Sequence, residues 1–184
     1  MRVVAGSAKG ITLAPVPRGV RPVSDRAREG IFSSLGDVVV GARVLDLYAG
    51  TGAMAIEGLS RGADRAVIVE RDRAALRTIR DNLGRTRLAD RAEVVAAEAT
   101  RFVTRHDNRT APFELVVADP PYGAPVEEVQ GVLAALADGW LAGGGSRLVL
   151  TRPSRSSTLV IPVHFEVARR LRYGDTLVLI IREA

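Results

Sequence analysis

The segment Asp46-Leu47-Tyr48-Ala49-Gly50-Thr51-Gly52 lies where a predicted strand, Val44-Leu45-Asp46-Leu47, gives way to a predicted helix carrying Met54, Ile56 and Leu59. Its two glycines let the backbone turn tightly and approach a ligand closely. Gly50-Thr51-Gly52-Ala53-Met54-Ala55 fits G-x-G-x-x-[GA], a fingerprint of strand–turn–helix loops that hold nucleoside cofactors. Glu70 ends the next predicted strand, Ala66-Val67-Ile68-Val69-Glu70, at the spacing of the acid that takes ribose hydroxyls. A bound nucleoside is the expectation.

Working outward, strands and helices alternate. Asp72 can cap a helix with Leu76, Ile79 and Leu83 on one side, stopping at Gly84. Ala92-Glu93-Val94-Val95 reads as a third strand, with a short helix near Phe102 after it. Phe113 to Ala118 is a fourth, apolar and buried. Val126, Val129, Leu133, Leu136 and Trp140 recur at helical spacing, and Gly143-Gly144-Gly145 ends that helix. Arg147 to Leu150 is a fifth strand. His164 to Arg172, a Tyr173-Gly174-Asp175 turn and Thr176 to Ile181 read as a closing hairpin. The alternation predicts an α/β fold, a doubly wound, mostly parallel sheet of about seven strands with an antiparallel C-terminal pair.

Asp46 bears on which nucleoside binds. A dinucleotide sets its pyrophosphate on the helix N-terminus, and a carboxylate there repels it. S-adenosylmethionine has no phosphate; it brings an ammonium, a carboxylate and a sulfonium. Asp46, Glu70 and Glu98 stand at three successive predicted strand ends, which suits a cationic nucleoside better than a polyphosphate. Glu98 can accept from an adenine amino group, or simply favour a helix N-terminus through the dipole. Tyr48 and Ala99, beside these acids, complete the candidate cofactor set of Asp46, Tyr48, Gly50, Gly52, Glu70, Glu98 and Ala99.

Asp119-Pro120-Pro121-Tyr122 follows the fourth strand, at the carboxyl edge where open α/β sheets bind ligands. Prolines fix φ and lack N–H donors, so this stretch is stiff and offers carbonyls. An amino group on an aromatic base is a poor nucleophile, because its lone pair is delocalised. The Asp119 carboxylate and the Pro120 carbonyl can accept its two protons, and Tyr122 can stack on the base. The plainer reading is a rigid strand-to-helix connection, since Pro-Pro marks turns generally.

The first part of the chain differs. Residues 2–13 read as a β-hairpin with a Gly6-Ser7-Ala8-Lys9-Gly10 turn. A Pro-rich basic loop, Ala14 to Val23, and a helix capped by Ser24 or Asp25 and running to about Leu35 follow. Of the net charge of +5, most lies here: Arg2, Lys9, Arg18, Arg21, Arg26 and Arg28 against Asp25 and Glu29. A basic end on a near-neutral body points to a polyanion. Lys9 is the only lysine, and arginine suits bidentate phosphate contacts, although codon bias also favours it. The expected organisation is a basic, polyanion-binding extension over residues 1–36 and an α/β domain over 37–184.

At 184 residues the chain fits one such domain with an appendage. With no cysteine there is no disulfide, no thiolate metal site and no Cys nucleophile for methylating a pyrimidine carbon. His106 and His164 are far apart, so a histidine metal cluster is not expected. No apolar run reaches the roughly 18–20 residues that span a bilayer, and no apolar signal segment follows Met1. A cytoplasmic location is expected, which leaves the sequon Asn108-Arg109-Thr110 without meaning.

Together these residues resemble the bacterial small-subunit (16S) rRNA guanine-N2 methyltransferases, over nearly the full length. The resemblance runs through Arg2-Val3-Val4-Ala5-Gly6, Arg21-Pro22-Val23-Ser24-Asp25-Arg26, the glycine loop, the Glu57 to Gly62 helix end, Glu70, Asp119-Pro120-Pro121-Tyr122 and Tyr173-Gly174-Asp175-Thr176. Val23 stands where the family pattern has Thr. The glycine loop is shared by very many methyltransferases, and the Asp-Pro-Pro-Tyr by those that methylate amino groups of bases or of glutamine. The N-terminal part is the specific piece. The resemblance implies a Rossmann-like methyltransferase domain over residues 37–184 with an N-terminal RNA-binding extension over residues 1–36, and S-adenosylmethionine as donor. It implies a guanine in a loop of 16S rRNA as target. An assembling 30S subunit as partner and a monomer as the acting form are further expectations. An adenine-N6 methyltransferase, a glutamine methyltransferase, an NAD-dependent oxidoreductase and a non-catalytic rRNA-binding module are the other readings of the same residues.

Overall fold

The computed structural model describes residues 1–15, 23–105, 112–156 and 159–184. Arg18, Arg21, His106 and the sequon at 108–110 lie outside the described residues. The chain forms α1 (Asp25–Leu35), β1 (Arg43–Leu47), α2 (Ala53–Ser60), β2 (Arg65–Glu70), α3 (Arg73–Thr86), β3 (Ala92–Ala96), α4 (Ala99–Arg105), β4 (Leu115–Ala118), α5 (Val126–Leu136), β5 (Arg147–Pro153), β6 (Phe165–Tyr173) and β7 (Thr176–Glu183).

The strands make one seven-stranded sheet in the order β3-β2-β1-β4-β5-β7-β6. The first five are parallel, and β7 runs antiparallel to both β5 and β6. Strand β4 reads as an unbroken apolar run, and β1 is interrupted only by Arg43 at its start and by Asp46, because helices cover both sheet faces. One face packs on α1, α2 and α3 through Ile31, Phe32, Ile56, Leu59 and Ile79. The other packs on α4 and α5 through Phe102, Val129 and Leu133. The chain order reverses between β1 and β4, which opens a crevice at their carboxyl ends.

Three local expectations change. Helix α3 runs past Gly84 to Thr86, and Arg87 takes the left-handed cap at φ 58°. The Thr86 hydroxyl satisfies the Asn82 carbonyl at 2.7 Å, and Leu88 N–H reaches back to the Leu83 carbonyl at 3.0 Å. Helix α5 ends at Leu136, because Gly139 turns the chain at φ 82°. Trp140 keeps its core position beyond the helix, stacked 6.2 Å from Phe113. Gly143 to Gly145 therefore do not end a helix; they lead into β5.

The N-terminal hairpin is short: one antiparallel bridge, Arg2 to Thr12, with Val3 N–H donating to the Ile11 carbonyl, Gly10 N–H to that of Val3 and Leu13 N–H to that of Met1. Other backbone donors of this segment go to α2. Val4 and Ala5 N–H donate to the Glu57 carboxylate at 2.8 and 3.0 Å, and Ala8 N–H donates to Ser60 Oγ at 2.9 Å. Gly6, at φ 84°, lies so close to Ser60 that a Cβ there would sit 1.8 Å from its carbonyl oxygen. Val3, Ala8 and Leu13 join the same core as Ile56 and Leu59.

Candidate active site at the switch point of the sheet

The crevice holds a cavity of about 470 Å³ walled by the carboxyl ends of β1, β2, β3 and β4. Asp46, Tyr48, Gly50, Glu70, Glu98 and Ala99 all line it. So do Asp119, Pro120, Pro121 and Tyr122, from the opposite wall. Gly52 acts one step back: its left-handed φ of 73° starts α2.

Asp46 is almost fully buried and accepts a hydrogen bond from Ala55 N–H at 3.0 Å, at the start of α2. Burial pushes its pKa up to about 8, and the charges of Asp119 and Glu70 add to the rise. Glu70 is held by three backbone donors: Gly50 N–H at 2.8 Å on Oε2, and Arg71 and Asp72 N–H at 2.7 and 2.8 Å on Oε1. It ties the glycine loop to β2 and keeps lone-pair capacity for a hydroxyl donor. Glu98 is exposed, 4.0 Å from Arg71. Tyr48 adopts φ 59°, a conformation rare outside glycine. Its hydroxyl donates to Glu128 on α5 at 3.0 Å, and burial raises its pKa. Among the described residues, five acidic side chains, with Asp72 the fifth, face one arginine, Arg71, around this cavity. The donor set fits a ligand that carries cationic charge and hydroxyls, and a buried Asp46 with a raised pKa is the polar group such a cation would satisfy.

The acceptor wall is braced from behind. Thr151, fully buried on β5, donates its hydroxyl to the Asp119 carboxylate. The Pro121 carbonyl accepts from Ala124 N–H at 2.8 Å, and Pro120 faces the cavity. The Tyr122 and Thr176 hydroxyls are hydrogen-bonded at 2.5 Å, which fixes the ring against the turn into β7.

Of the basic N-terminal residues, Arg2, Lys9 and Arg26 are exposed and rim a depression of about 450 Å³ together with Asp25 and Glu29. Arg28, expected among the phosphate contacts, is fully buried instead. Its guanidinium donates to the carbonyls of Val23 and Arg2 and to Asp25, and lies 3.8 Å from Glu57. It knits the arm to α1 and α2 and cannot reach a phosphate. Val23, from the same N-terminal part, lines the main cavity.

Sequence reasoning missed Thr151, Glu128 and Asn82, and quoted Glu57 at a helix end without its role as the acceptor for the arm. Asn82 is buried, accepts from Ala14 N–H at 2.7 Å and donates to the Thr51 carbonyl at 2.9 Å, joining the arm to the glycine loop. Thr151 alone carried a signal, its place at the carboxyl half of β5 beside β4. Among the described residues, no group of three or more His, Cys, Asp or Glu side chains could hold a metal, and no helix is long and apolar enough to cross a membrane.

The family model described as Conserved hypothetical protein 95 matches residues 1–182. Ribosomal RNA small subunit methyltransferase D of Escherichia coli strain K12 is 39% identical over 145 residues, 77% of this chain and 70% of that protein. The protein of that name from Haemophilus influenzae is 26% identical over 95% of this chain and 89% of its own. Among solved structures, Escherichia coli yhhF matches with a TM-score of 0.85 at 32% identity, covering 100% of this chain and 97% of that one. A hypothetical protein of Thermus thermophilus matches at 0.81 and 31% identity, over 100% and 99%. The glycine loop, the acidic cavity and the braced Asp119 thus stand in a chain that belongs to the family of ribosomal RNA small subunit methyltransferase D, a family of methyltransferases with a Rossmann-like fold.

Proposed function

We propose that this protein transfers a methyl group from S-adenosylmethionine to the exocyclic N2 of a guanine in 16S rRNA. The observation that carries the reading is the shared cavity in which acids around the glycine loop face an Asp119 carboxylate held by Thr151. The relatives' names supply the class of RNA.

When bound, S-adenosylmethionine supplies an electrophilic methyl group on a sulfonium. Asp46 would hold its ammonium, Glu70 its ribose hydroxyls and Glu98 its adenine amine. The target base leaves its stack at a cost of a few kcal/mol, and stacking on Tyr122 offsets about 1–3 kcal/mol of this. Asp119 and the Pro120 carbonyl accept the two N2 protons, which points the nitrogen lone pair into the donor cavity. An aryl amine is too weak an acid for Asp119 to deprotonate it beforehand; the proton passes to Asp119 Oδ only as the nitrogen becomes positive. Orientation and fixed acceptors supply most of the acceleration. Arg2, Lys9 and Arg26 position rRNA through phosphates, on the N-terminal extension of residues 1–36. The protein acts as a monomer in the cytoplasm, on a partly assembled 30S subunit.

Undermethylated 30S particles incubated with labelled donor, then digested to nucleosides, test the reading. Label in N2-methylguanosine supports it, and label in N6-methyladenosine moves the target to adenine. Asp119→Ala is expected to lose methyl transfer while binding S-adenosylhomocysteine as before. Activity retained within threefold would remove Asp119 from the mechanism.

A further inference from the structure

A second cavity, of about 310 Å³, lies behind the acceptor wall. Pro120, Pro121 and Tyr122 line both cavities, so the tetrapeptide is a partition between them. The two sides differ in charge. Among the described residues, five acidic side chains and one arginine face the first cavity. The second is lined, among the described residues, by Arg152 and Arg155 and by no carboxylate.

Arg152 is the unusual residue. It follows Thr151 on β5 and is only 7% exposed. Among the described residues, no carboxylate pairs with it and no carbonyl accepts from it. Its guanidinium is not sealed in the core but borders the second cavity, and partial desolvation there lowers its pKa. Its planar fork suits a phosphate held by two N–H groups. A guanine edge can accept two of its N–H groups through O6 and N7 but brings no charge; the phosphodiester next to the base brings both the acceptors and the negative charge. Arg155, exposed at the mouth of the same cavity, adds a second charge.

We propose that the cavity built on Arg152 and Arg155 is a phosphate site, which takes the RNA phosphodiester flanking the target nucleotide. The proposal rests on the reading of the protein as an RNA methyltransferase. It gives the partition two functions: the base is held at Asp119 and Tyr122, and the strand is anchored on the far side at Arg152. The chain's charges then sort the two ligands, the cationic donor to the acidic cavity and the anionic strand to the basic one.

The test uses the whole protein and the rRNA fragment bearing the labelled guanine, located by nuclease mapping of the labelled 16S rRNA. RNA affinity is measured against salt concentration for the wild type and Arg152→Met, with S-adenosylhomocysteine affinity by calorimetry as the control for folding. The variant is expected to bind S-adenosylhomocysteine within twofold of the wild type and RNA at least about tenfold more weakly. Its salt slope should fall by about 0.7–0.9, the value of one phosphate contact. An unchanged slope in a variant that still binds S-adenosylhomocysteine would overturn the proposal. A second arm needs no variant: neutral methylphosphonate linkages are placed one at a time on either side of the target guanosine. One of these should weaken wild-type binding by the same factor, and no effect at either position would overturn the proposal. Failure of the wild type to form any methylated guanosine would instead reject the methyltransferase reading itself.

Discussion

The Thr151 hydroxyl donates to the Asp119 carboxylate from the neighbouring strand β5. This bond orients the carboxylate that would receive the amine protons, without touching Asp46, Glu70 or Glu98. Thr151→Val keeps the shape and removes the donor. A hydrogen bond to a charged group is worth about 1.5–3 kcal/mol, so kcat should fall by about tenfold or more. The donor KM should stay within twofold. Steady-state kinetics check this; a KM effect without a kcat effect would count against orientation.

Asp46 gives the protein a pH dependence. In the ligand-free fold its pKa is about 8, raised from 3.8 mainly by burial. Below that pH the carboxyl is largely neutral, and a bound ammonium would favour its ionised form. Donor binding should therefore release a proton, and affinity should strengthen by up to about tenfold per pH unit as pH rises toward 8. Calorimetry in buffers of different ionisation enthalpy reads the proton. The same raised pKa makes the ligand-free fold less stable as pH climbs from about 4 to about 8, because only the unfolded chain releases this proton readily. Asp46→Asn should abolish the pH slope of binding and raise the ligand-free melting temperature at pH 8 by about 3 °C or more.

Glu57 is buried at the centre of the arm's anchorage. It accepts from Val4 and Ala5 N–H and from Arg61 Nε at 2.7 Å, with Arg28 at 3.8 Å. Glu57→Ala leaves these donors buried without an acceptor, at a cost of about 3–5 kcal/mol. Denaturant unfolding should show that loss, and rRNA affinity should drop with it. Glu57→Gln, which keeps one acceptor, should fall between the two.

The buried and exposed arginines of the N-terminal part should separate cleanly. Arg26→Ala is expected to change stability little and to lower the salt slope of rRNA binding by up to about 0.9, the value of one phosphate contact. Arg28→Met should leave the slope unchanged and reduce the melting temperature. Equal slopes for wild type and Arg26→Ala would take Arg26 off the RNA surface.

The candidate donor site was legible in the sequence because its signals are local. The turn at Gly50 to Gly52, the acid ending β2 and the acid following β4 each come after a strand that its own apolar run identifies. Parallel order then brings those strand ends together without further information. The misreadings were equally local in origin. Gly84 looked like a helix stop, yet the Thr86 hydroxyl and the Arg87 cap carried α3 two residues further. The spacing through Trp140 looked helical, yet the ring is buried after the helix has ended.

The sequence alone determined the alternating α/β order, the place of the glycine loop and the position of Asp119-Pro120-Pro121-Tyr122 at a strand end, because periodicity, turn chemistry and spacing act over a few residues. Tertiary structure decided which charges are free to act. Arg28 and Arg26 are two residues apart on one helix, and one is sealed under the arm while the other faces solvent. Thr151 reaches Asp119, and Glu57 reaches Val4, across 32 and 53 positions of chain. Such contacts depend on the sheet order and on the docking of the arm. Those are fixed by the joint burial of many side chains, and no single segment encodes them.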